Sequence, residues 1–353
     1  MSKTALIAMS GGVDSSAAAL ILQQQGWDCT GITMQLHREN ALCGTSSDAE
    51  DAAAVAEKLG MPFHTLDATG DFAHEVMDHF VAEYRAGRTP NPCIRCNRCM
   101  KFGRLMEERE RLGCDILATG HYARVAYDPQ RQRWLLKRAR NTAKDQTYVL
   151  YFLSQEQLAH LCFPLGEFES KDDIRAIAAE RDLITARKKD SQDICFVPDG
   201  DYVRFLRQYG GVKLTPGNFV DRSGNVLGRH KGLEAYTTGQ RKGLGVSSDR
   251  RLYVLSKNAE NRTVLLGDDE ELFTSTLIAD HVNWIAIARP DAPVRVTAKT
   301  RYTQKESAAT VEPLADGRVR VVFDEPQRAI TAGQAVVFYE GENVVGGGTI
   351  TEI

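Results

Sequence analysis

The feature that most restricts the fold is the alternation of short apolar runs with helical patterns over about the first 120 residues. Continuous apolar runs, which are typical of buried parallel strands, occur at 4–9, 29–36, 62–66 and 115–118. Stretches with helical periodicity that end at or near a glycine occur at 15–25, 48–59, 72–85 and 101–112. This alternation predicts an α/β fold with a doubly wound parallel sheet.

The pattern changes after residue 120. Runs at 123–127 and 134–138 flank a turn and predict a hairpin. Ser154 begins a capping-box pattern, and helical patterns follow at 171–181 and 201–208. From about residue 292 apolar and polar residues alternate, which predicts a small antiparallel β-barrel.

A chain of 353 residues is expected to form two or three domains, at about 150 residues each. We predict three: the parallel sheet at 1–205, a small central domain at 206–272 and the C-terminal barrel at 273–353. The 44 basic and 47 acidic side chains leave a net charge of -3. That charge excludes a uniformly basic nucleic-acid-binding surface but permits a local basic patch.

No apolar run approaches the roughly 20 residues of a membrane helix. The apolar run at the start is too short for a signal peptide, so we expect a cytoplasmic protein with no membrane contact. In that reducing compartment the eight cysteines are not expected to form a disulfide framework. Three of them, Cys93, Cys96 and Cys99, lie within seven residues, which suggests a chemical use.

Residues 10–16, SGGVDSS, stand between the first predicted strand and helix. Two glycines let the backbone approach a ligand closely, and the helix N-terminus offers N–H groups and the positive end of its dipole. Ser10, Ser15 and Ser16 add hydroxyl donors, so the loop predicts a phosphate or pyrophosphate site. It is neither a Walker A loop nor a dinucleotide fingerprint. The competing interpretation is a Gly-Gly turn with a serine helix cap.

With this loop, the sequence resembles the ATP pyrophosphatases of the PP-loop superfamily, which activate substrates as adenylates. Further motifs occur in the order GRTPNPCIRCN at 87–97, KF at 101–102, ATGHYAR at 118–124, KDQTY at 144–148, KDSQDICF at 189–196, TGQRKGLG at 238–245, KTRY at 299–302, FDEP at 323–326 and GQ at 333–334. Together they resemble the tRNA-specific 2-thiouridylase (MnmA/TrmU) family over nearly the whole chain.

The resemblance implies a tRNA-uridine 2-sulfurtransferase that modifies uridine 34, the wobble position. ATP adenylates the C2 oxygen, and sulfur from a cysteine persulfide then replaces that oxygen to give 2-thiouridine, AMP and pyrophosphate. Cys195 would carry the persulfide, and Cys96 would free the sulfur or form a transient disulfide. The implied ATP contacts are Ala8, Met9, Ser10, Gly11, Gly12, Val13, Asp14, Ser15, Met34 and Gly120.

The residue chemistry adds two expectations. Asp14 is expected to bind Mg²⁺, directly or through water, because a pyrophosphate leaving group needs charge neutralisation. Sulfur transfer needs a thiolate, and Cys96 lies in a Pro-rich segment read as a loop, beside Arg95 and Arg98. These neighbours are expected to lower the thiol pKa of Cys96. A purely structural role for Cys195, between Ile194 and Phe196, remains the alternative.

The resemblance also implies that the protein binds tRNAs for Lys, Glu and Gln, and receives sulfur from a cysteine desulfurase or a relay protein. The central domain at 206–272 would contribute to tRNA binding. The target base would contact Asn91, Pro92 and Cys93. The implied tRNA contacts are His121, Lys144, Asp145, Gln146, Arg301, Tyr302 and Gln334.

One residue departs from the family pattern, since well-known members have Asp where this chain has Cys93. Closely spaced thiols ligate zinc or iron–sulfur clusters. The open alternative is therefore a [4Fe–4S] cluster on Cys93, Cys96 and Cys195 with one iron left for a sulfide. Of the other thiols, Cys99 is expected at a helix start and Cys43 has no assigned role. Core filling is expected for Cys29, Cys114 and Cys162.

Two further hypotheses belong to other classes. A different ATP pyrophosphatase, such as an amidotransferase-coupled or argininosuccinate-type synthetase, explains the loop but neither Cys96 nor Cys195. A non-catalytic RNA-binding protein with a thiol–metal site explains the barrel and the cysteines but leaves the phosphate loop without a use.

Overall fold

The structure is a computed structural model that describes residues 3–37, 47–188 and 194–353. The strands are β1 Thr4–Ala8, β2 Asp28–Gln35, β3 Phe63–Asp67, β4 Ile116–Ala118, β5 Ala123–Asp128, β6 Arg133–Arg138, β7 Leu161–Cys162, β8 Gly217–Val220, β9 Val226–His230, β10 Tyr253–Asn258, β11 Thr263–Gly267, β12 Phe273–Trp284, β13 Val294–Lys299, β14 Ser307–Pro313, β15 Val319–Arg328, β16 Ala335–Glu340 and β17 Asn343–Glu352. The helices are α1 Val13–Gln24, α2 Ser47–Lys58, α3 69–85, α4 92–111, α5 Gln155–Ala159, α6 Lys171–Glu180 and α7 Tyr202–Gln208.

The first sheet is parallel, with strand order β3-β2-β1-β4-β7. Both of its faces are covered. Ala5 and Ile7 of β1 pack in one core cluster with residues of α1 and α2, whereas Leu6 packs in another cluster with residues of α4. The predicted doubly wound sheet is therefore confirmed. Strand β7 was missed because two residues are too few to show a pattern.

The helix α4 begins earlier than predicted. The sequence predicted a loop followed by a helix from Lys101. Residues 92–100 are already helical, so α4 begins at Pro92. Asn91 is the N-cap, and its side-chain oxygen accepts from the backbone N–H groups of Cys93 and Ile94. Proline suits the first helical position because its missing N–H would lack a helical partner there.

The C-terminal sheet closes into a six-stranded antiparallel barrel. Its order is β12-β15-β14-β13-β16-β17, and β12 also pairs with β17. The predicted hairpin β5–β6 is confirmed, and it extends the barrel sheet through Asn343 opposite Lys137. The barrel starts in β12 rather than near residue 292. The alternation in β12 is obscured by register shifts between Thr274 and Thr276 and between Asp280 and Asn283.

Between these two sheets along the chain, residues 217–267 form a four-stranded sheet of order β10-β11-β8-β9. It has its own small core, centred on Phe219, Val254 and Val264. The proposed division into 1–205, 206–272 and 273–353 stays a prediction.

The parallel-sheet region and the barrel share one hydrophobic core. Residues 148–153 are all buried, and they cluster with Leu6 and Leu117 on one side and with Val337 and Val344 of the barrel on the other. Asn283 donates from Nδ2 to the carbonyls of Tyr151 and Leu153 at 2.8 and 2.9 Å. The barrel is therefore packed onto the parallel-sheet region. Within the described ranges, no helix has the length and apolarity to cross a bilayer.

We predict that Gly347→Ala destabilises this junction. A Cβ at residue 347 would lie 2.7 Å from both Cδ2 of Tyr151 and the carbonyl oxygen of Val336, which is closer than carbon atoms tolerate. Overpacking of this kind costs about 1–3 kcal/mol. The matched control is Gly70→Ala in α3, where the added Cβ meets no atom of the described residues within 4 Å and Ala favours the helix.

The measurement is the free energy of unfolding in urea. Gly347→Ala should lower it and Gly70→Ala should leave it unchanged or raise it by up to about 1 kcal/mol. Equal values for Gly347→Ala and the parent chain would contradict the close packing at this junction.

Candidate active site

The loop after β1 has the geometry of an anion site. Gly11 has φ +68°, and a Cβ there would lie 2.1 Å from the backbone oxygen of Asp48, so only glycine fits. The Ser15 hydroxyl accepts from the backbone N–H of Ser10 at 3.1 Å and donates to the carbonyl of Gly12 at 3.1 Å. Gly12 is the N-cap of α1 and has no side chain to occupy the first-turn N–H groups. These groups can therefore receive phosphate oxygens.

The predicted nucleotide residues meet at one edge of the parallel sheet. Gly120 follows β4, and a Cβ there would lie 2.8 Å from the backbone of Asp14 and of Ser15, so the two loops touch. Met34 lies near the end of β2, partly buried, and packs against two core clusters. The chain leaves β1 and β4 at the point where strand order reverses, which is where open α/β sheets bind ligands.

Asp14 has two side-chain partners. Tyr122 donates from Oη to Oδ1 at 2.9 Å, and Lys171 donates from Nζ to Oδ2 at 3.1 Å. Neither partner was identified from the sequence. Tyr122 lies inside the ATGHYAR motif, which was the available signal, whereas Lys171 is 157 residues away from Asp14 and had none. A Mg²⁺ ion that arrives with ATP needs only one or two carboxylates besides phosphates and water, so Asp14 alone fits that requirement.

Helix α4 presents Cys93, Cys96 and Cys99 at three-residue spacing. Cys93 is exposed by surface area, and Cys96 and Cys99 are partly buried. Cys99 lies within the helix rather than at its start, and it hydrogen-bonds Glu75 of α3. Both helices contain π-helical turns here, Ala73–Asp78 in α3 and Asn97–Arg104 in α4. Such turns are frequent at functional sites.

The expectation of a lowered pKa at Cys96 was wrong. Burial raises the pKa of Cys96 to about 11, and the charge of Lys101 only partly opposes it. The two arginines point elsewhere: Arg95 pairs with Glu75, and the guanidinium of Arg98 lies 5.2 Å from the ring centroid of Phe152. The resting Cys96 side chain is a protonated thiol at neutral pH.

Residues 189–193 of the KDSQDICF motif lie outside the described residues, and Cys195 follows them. Its thiol is exposed. The flanking Ile194 and Phe196 pack into the same hydrophobic cluster as Cys96, and the Phe196 ring lies 5.3 Å from that of Phe80 in α3. The elements that bear the two thiols therefore lie on one cluster. Cys43 also lies outside the described residues.

The described residues do not form an iron–sulfur cluster site. Across residues 3–37, 47–188 and 194–353, which include Cys93, Cys96 and Cys195, no group of three or more His, Cys, Asp or Glu side chains could hold a metal ion. The three thiols therefore do not fit an iron–sulfur cluster in this conformation. Cys29 is buried and Cys114 and Cys162 pack partly buried against the core clusters, which agrees with their expected filling role.

Several side chains expected to contact tRNA are engaged within the protein. His121 is buried and hydrogen-bonded through Nδ1 to Thr119 at 2.7 Å, and burial with the nearby Lys101 charge holds its pKa well below the usual value. Asp145 accepts from the N–H of Ala139 and the hydroxyl of Thr147, and burial raises its pKa.

Lys144 and Gln146 follow the β5–β6 hairpin in the chain. Gln146 accepts from the backbone N–H of Tyr122 at 2.9 Å. The backbone N–H of Lys144 donates to Asn141, and its side chain is partly buried. Gln146 therefore lies beside Tyr122, whose hydroxyl donates to Asp14.

Arg301 and Gln334 of the barrel region hydrogen-bond residues of the central sheet region, of the barrel and of the segment before α4. Arg301 donates from Nη2 to the carbonyls of Thr238 and Ala329 and to the hydroxyl of Thr331. Gln334 donates to the carbonyl of Thr89 at 2.7 Å, just before Asn91 and Pro92.

Tyr302 is the most exposed member of the barrel set, at 40%, and its hydroxyl donates to the carbonyl of Asp145 at 3.3 Å. Burial and the nearby Asp145 and Cys93 groups raise its pKa. The barrel thus faces the start of α4, where the target base is expected.

The comparisons with known proteins agree on one family. The family described as "tRNA methyl transferase HUP domain" matches residues 3–199, "tRNA methyl transferase PRC-barrel domain" matches 203–268, and "Aminomethyltransferase beta-barrel domain" matches 274–350. Curated relatives named tRNA-specific 2-thiouridylase MnmA match nearly end to end. That of Acetivibrio thermocellus is 48% identical over 99% of both chains. That of Clostridioides difficile is 47% identical over 99% of this chain and 98% of its own.

Identity of nearly one half over full length, together with the ordered motifs, confirms the resemblance. The chain belongs to the tRNA-specific 2-thiouridylase MnmA family.

Proposed function

We propose that this protein is a tRNA-uridine 2-sulfurtransferase that converts uridine 34 to 2-thiouridine with consumption of ATP. The observation that supports this most directly is that the anion loop lies close to the hydrophobic cluster that includes Cys96. The anion loop of residues 10–16 and Gly120 lie at the same sheet edge as Met34, and Met34 packs into the cluster that includes Cys96. The proposed nucleotide site and the proposed thiol site would thus be neighbours.

In the first step, the C2 oxygen of the uridine attacks the α-phosphorus of ATP. The bond to the β-phosphate oxygen breaks, pyrophosphate leaves, and N3 loses its proton. The N–H groups of α1 and the serine hydroxyls hold the leaving group, since anions are stabilised at a helix N-terminus. Asp14, oriented by Tyr122 and Lys171, would hold the Mg²⁺ that accompanies ATP.

In the second step, the terminal sulfur of a Cys195 persulfide attacks C2, and the C2–O bond breaks as AMP leaves. Cys96 then attacks the Sγ of Cys195, so the S–S bond to the transferred sulfur breaks and its electron pair stays on that sulfur. The thiol proton of Cys96 replaces the one lost from N3. A Cys96–Cys195 disulfide remains, and an external thiol reductant must restore both thiols.

The remaining assignments extend this proposal. Asn91, Pro92 and Cys93 at the start of α4 would hold the target base, which an anticodon loop can splay out cheaply. His121, Lys144, Asp145, Gln146, Arg301, Tyr302 and Gln334 would border the tRNA. The substrates would be tRNAs for Lys, Glu and Gln, and the sulfur would come from a cysteine desulfurase or relay protein in the cytoplasm.

We predict that Cys96→Ser and Cys195→Ser each reduce 2-thiouridine formation below detection, because a hydroxyl can neither carry nor release sulfur. The binding of tRNA should stay within about twofold of the parent value, since neither change removes a charge. The measurement is nucleoside mass spectrometry beside a filter-binding assay. Cys114→Ser, away from the site, is the control with parent activity. Normal product from either test variant would refute the two-thiol scheme.

We predict that Asp14→Asn lowers tRNA-dependent pyrophosphate release by about 10²-fold, because it removes the charge that pairs with the metal–nucleotide complex. Tyr122→Phe removes only one hydrogen bond to Asp14 and should cost far less. The assay follows pyrophosphate with saturating tRNA. An unchanged rate in Asp14→Asn would give this carboxylate a structural role.

We predict that protein freed of iron by chelation thiolates tRNA as fast as protein purified anaerobically, when both receive a persulfide donor. This expectation is supported by the described residues, among which no group of three or more His, Cys, Asp or Glu side chains could hold a metal ion. The measurement pairs iron analysis with single-turnover thiolation. Activity that rises in proportion to iron content would favour the cluster on Cys93, Cys96 and Cys195 instead.

A further inference from the structure

Helix α4 bears four cations near its cysteines, and three of them have partners. Arg95 pairs with Glu75, and Arg98 lies over an aromatic ring. Arg104 forms ion pairs with Asp71 and Glu107. These three side chains are therefore held along the helix surface.

Lys101 differs from its neighbours. It is partly buried, and no carboxylate of the described residues lies within ion-pairing distance of its ammonium group. An ammonium group with no carboxylate beside it is suited to an anion that arrives from outside.

The position of Lys101 follows from the π-helical turn at Asn97–Arg104. Hydrogen bonds in such a turn join residues five apart, which places Lys101 about one turn after Cys96 on the same side of the helix. The next residue, Phe102, packs its ring 5.6 Å from the ring of His121. The Lys101 charge acts on Cys96 and on His121, so its ammonium group lies within electrostatic reach of both the thiols and the residue after Gly120.

The electrostatics agree with this placement. Desolvation by the surrounding protein raises the pKa of the Cys96 thiol and of the Cys93 thiol, although Cys93 keeps part of its surface exposed, and the Lys101 charge opposes the shift at both. Burial lowers the pKa of His121, and the Lys101 charge adds to that shift. One ammonium group thus acts on the expected target-base residue, on the partner thiol and on the residue after Gly120.

We propose that Lys101 is a catalytic residue of sulfur transfer, whose ammonium group contacts the phosphate of the adenylated uridine. When the persulfide sulfur attacks C2, a C–S bond forms and the C–O bond breaks, with its electron pair passing to the oxygen that leaves with AMP. Lys101 neutralises that charge by hydrogen bonding and keeps its own proton. This inference rests on the proposed function, because it needs an adenylated intermediate.

The test separates the two chemical steps. Lys101→Met keeps the aliphatic stem but removes the charge, and Lys101→Arg keeps the charge. Arg98→Met is the matched control, because it removes one charge from the same helix and the Arg98 guanidinium lies over the Phe152 ring. Each variant is assayed for tRNA affinity, for tRNA-dependent pyrophosphate release and for single-turnover 2-thiouridine formation from persulfide-loaded protein.

Lys101→Met should keep tRNA affinity and pyrophosphate release within about threefold of the parent chain, whereas 2-thiouridine formation falls by about 10²-fold, as for loss of a preorganised charge. Lys101→Arg should recover most of that loss, and Arg98→Met should show none. Parent-like thiolation by Lys101→Met would overturn the proposal. Parallel loss of affinity, pyrophosphate release and thiolation would overturn it as well, since Lys101 would then be structural or a general RNA contact.

The parent chain shows separately whether the proposed function holds. A parent chain that releases pyrophosphate with tRNA and forms 2-thiouridine supports that function whatever Lys101→Met does. A parent chain that does neither, with the persulfide donor present, overturns the proposed function and the role of Lys101 together.

Discussion

The burial of residues 148–153 between the parallel sheet and the barrel is the constraint on which the site depends. This segment belongs to one core cluster with Leu6 of β1 and Val344 of β17, and Tyr148 donates from its hydroxyl to the carbonyl of Ala335 at 2.8 Å. Because the core is shared, the barrel cannot turn away from the sheet without exposing it. The distance between the anion loop of residues 10–16 and the barrel surface is therefore set by packing rather than by a linker.

Helix α4, which carries Cys93, Cys96 and Cys99, is likewise fixed by packing against a neighbouring element. Glu75 of α3 receives Arg95 and Cys99 of α4, so the arginine nearest to Cys96 stabilises helix packing instead of a thiolate. Burial then dominates the electrostatics of Cys96 and favours the protonated thiol. A protonated thiol is a poor nucleophile and resists oxidation, which suits the role proposed for Cys96, a reaction that follows adenylate formation.

The limits of sequence reasoning appear at particular residues. The strand–helix alternation, the loop at 10–16 and the capping box at Ser154 were predictable because their signals are local. The pKa of Cys96 was not, because the partner of Arg95 lies 20 residues away and the burial is tertiary. The start of α4 was misread because an Asn-Pro pair marks both turns and helix N-termini. The shared core between the parallel sheet and the barrel could not be predicted, because contacts between distant segments leave no local pattern in the sequence.

Energetics restrict how the barrel residues can act on RNA. Arg301 donates from Nη2 to three oxygens of the central sheet region and the barrel. Its buried Nε has no hydrogen-bond partner in the described residues. Moving that guanidinium to a phosphate would leave several buried acceptors unsatisfied, at about 1–3 kcal/mol each. Gln334 is held at Thr89 in the same manner. These side chains therefore shape the surface that faces Asn91 and Cys93, and affinity for a polyanion must come from cations that remain available at its rim, since the chain as a whole carries a net charge of -3.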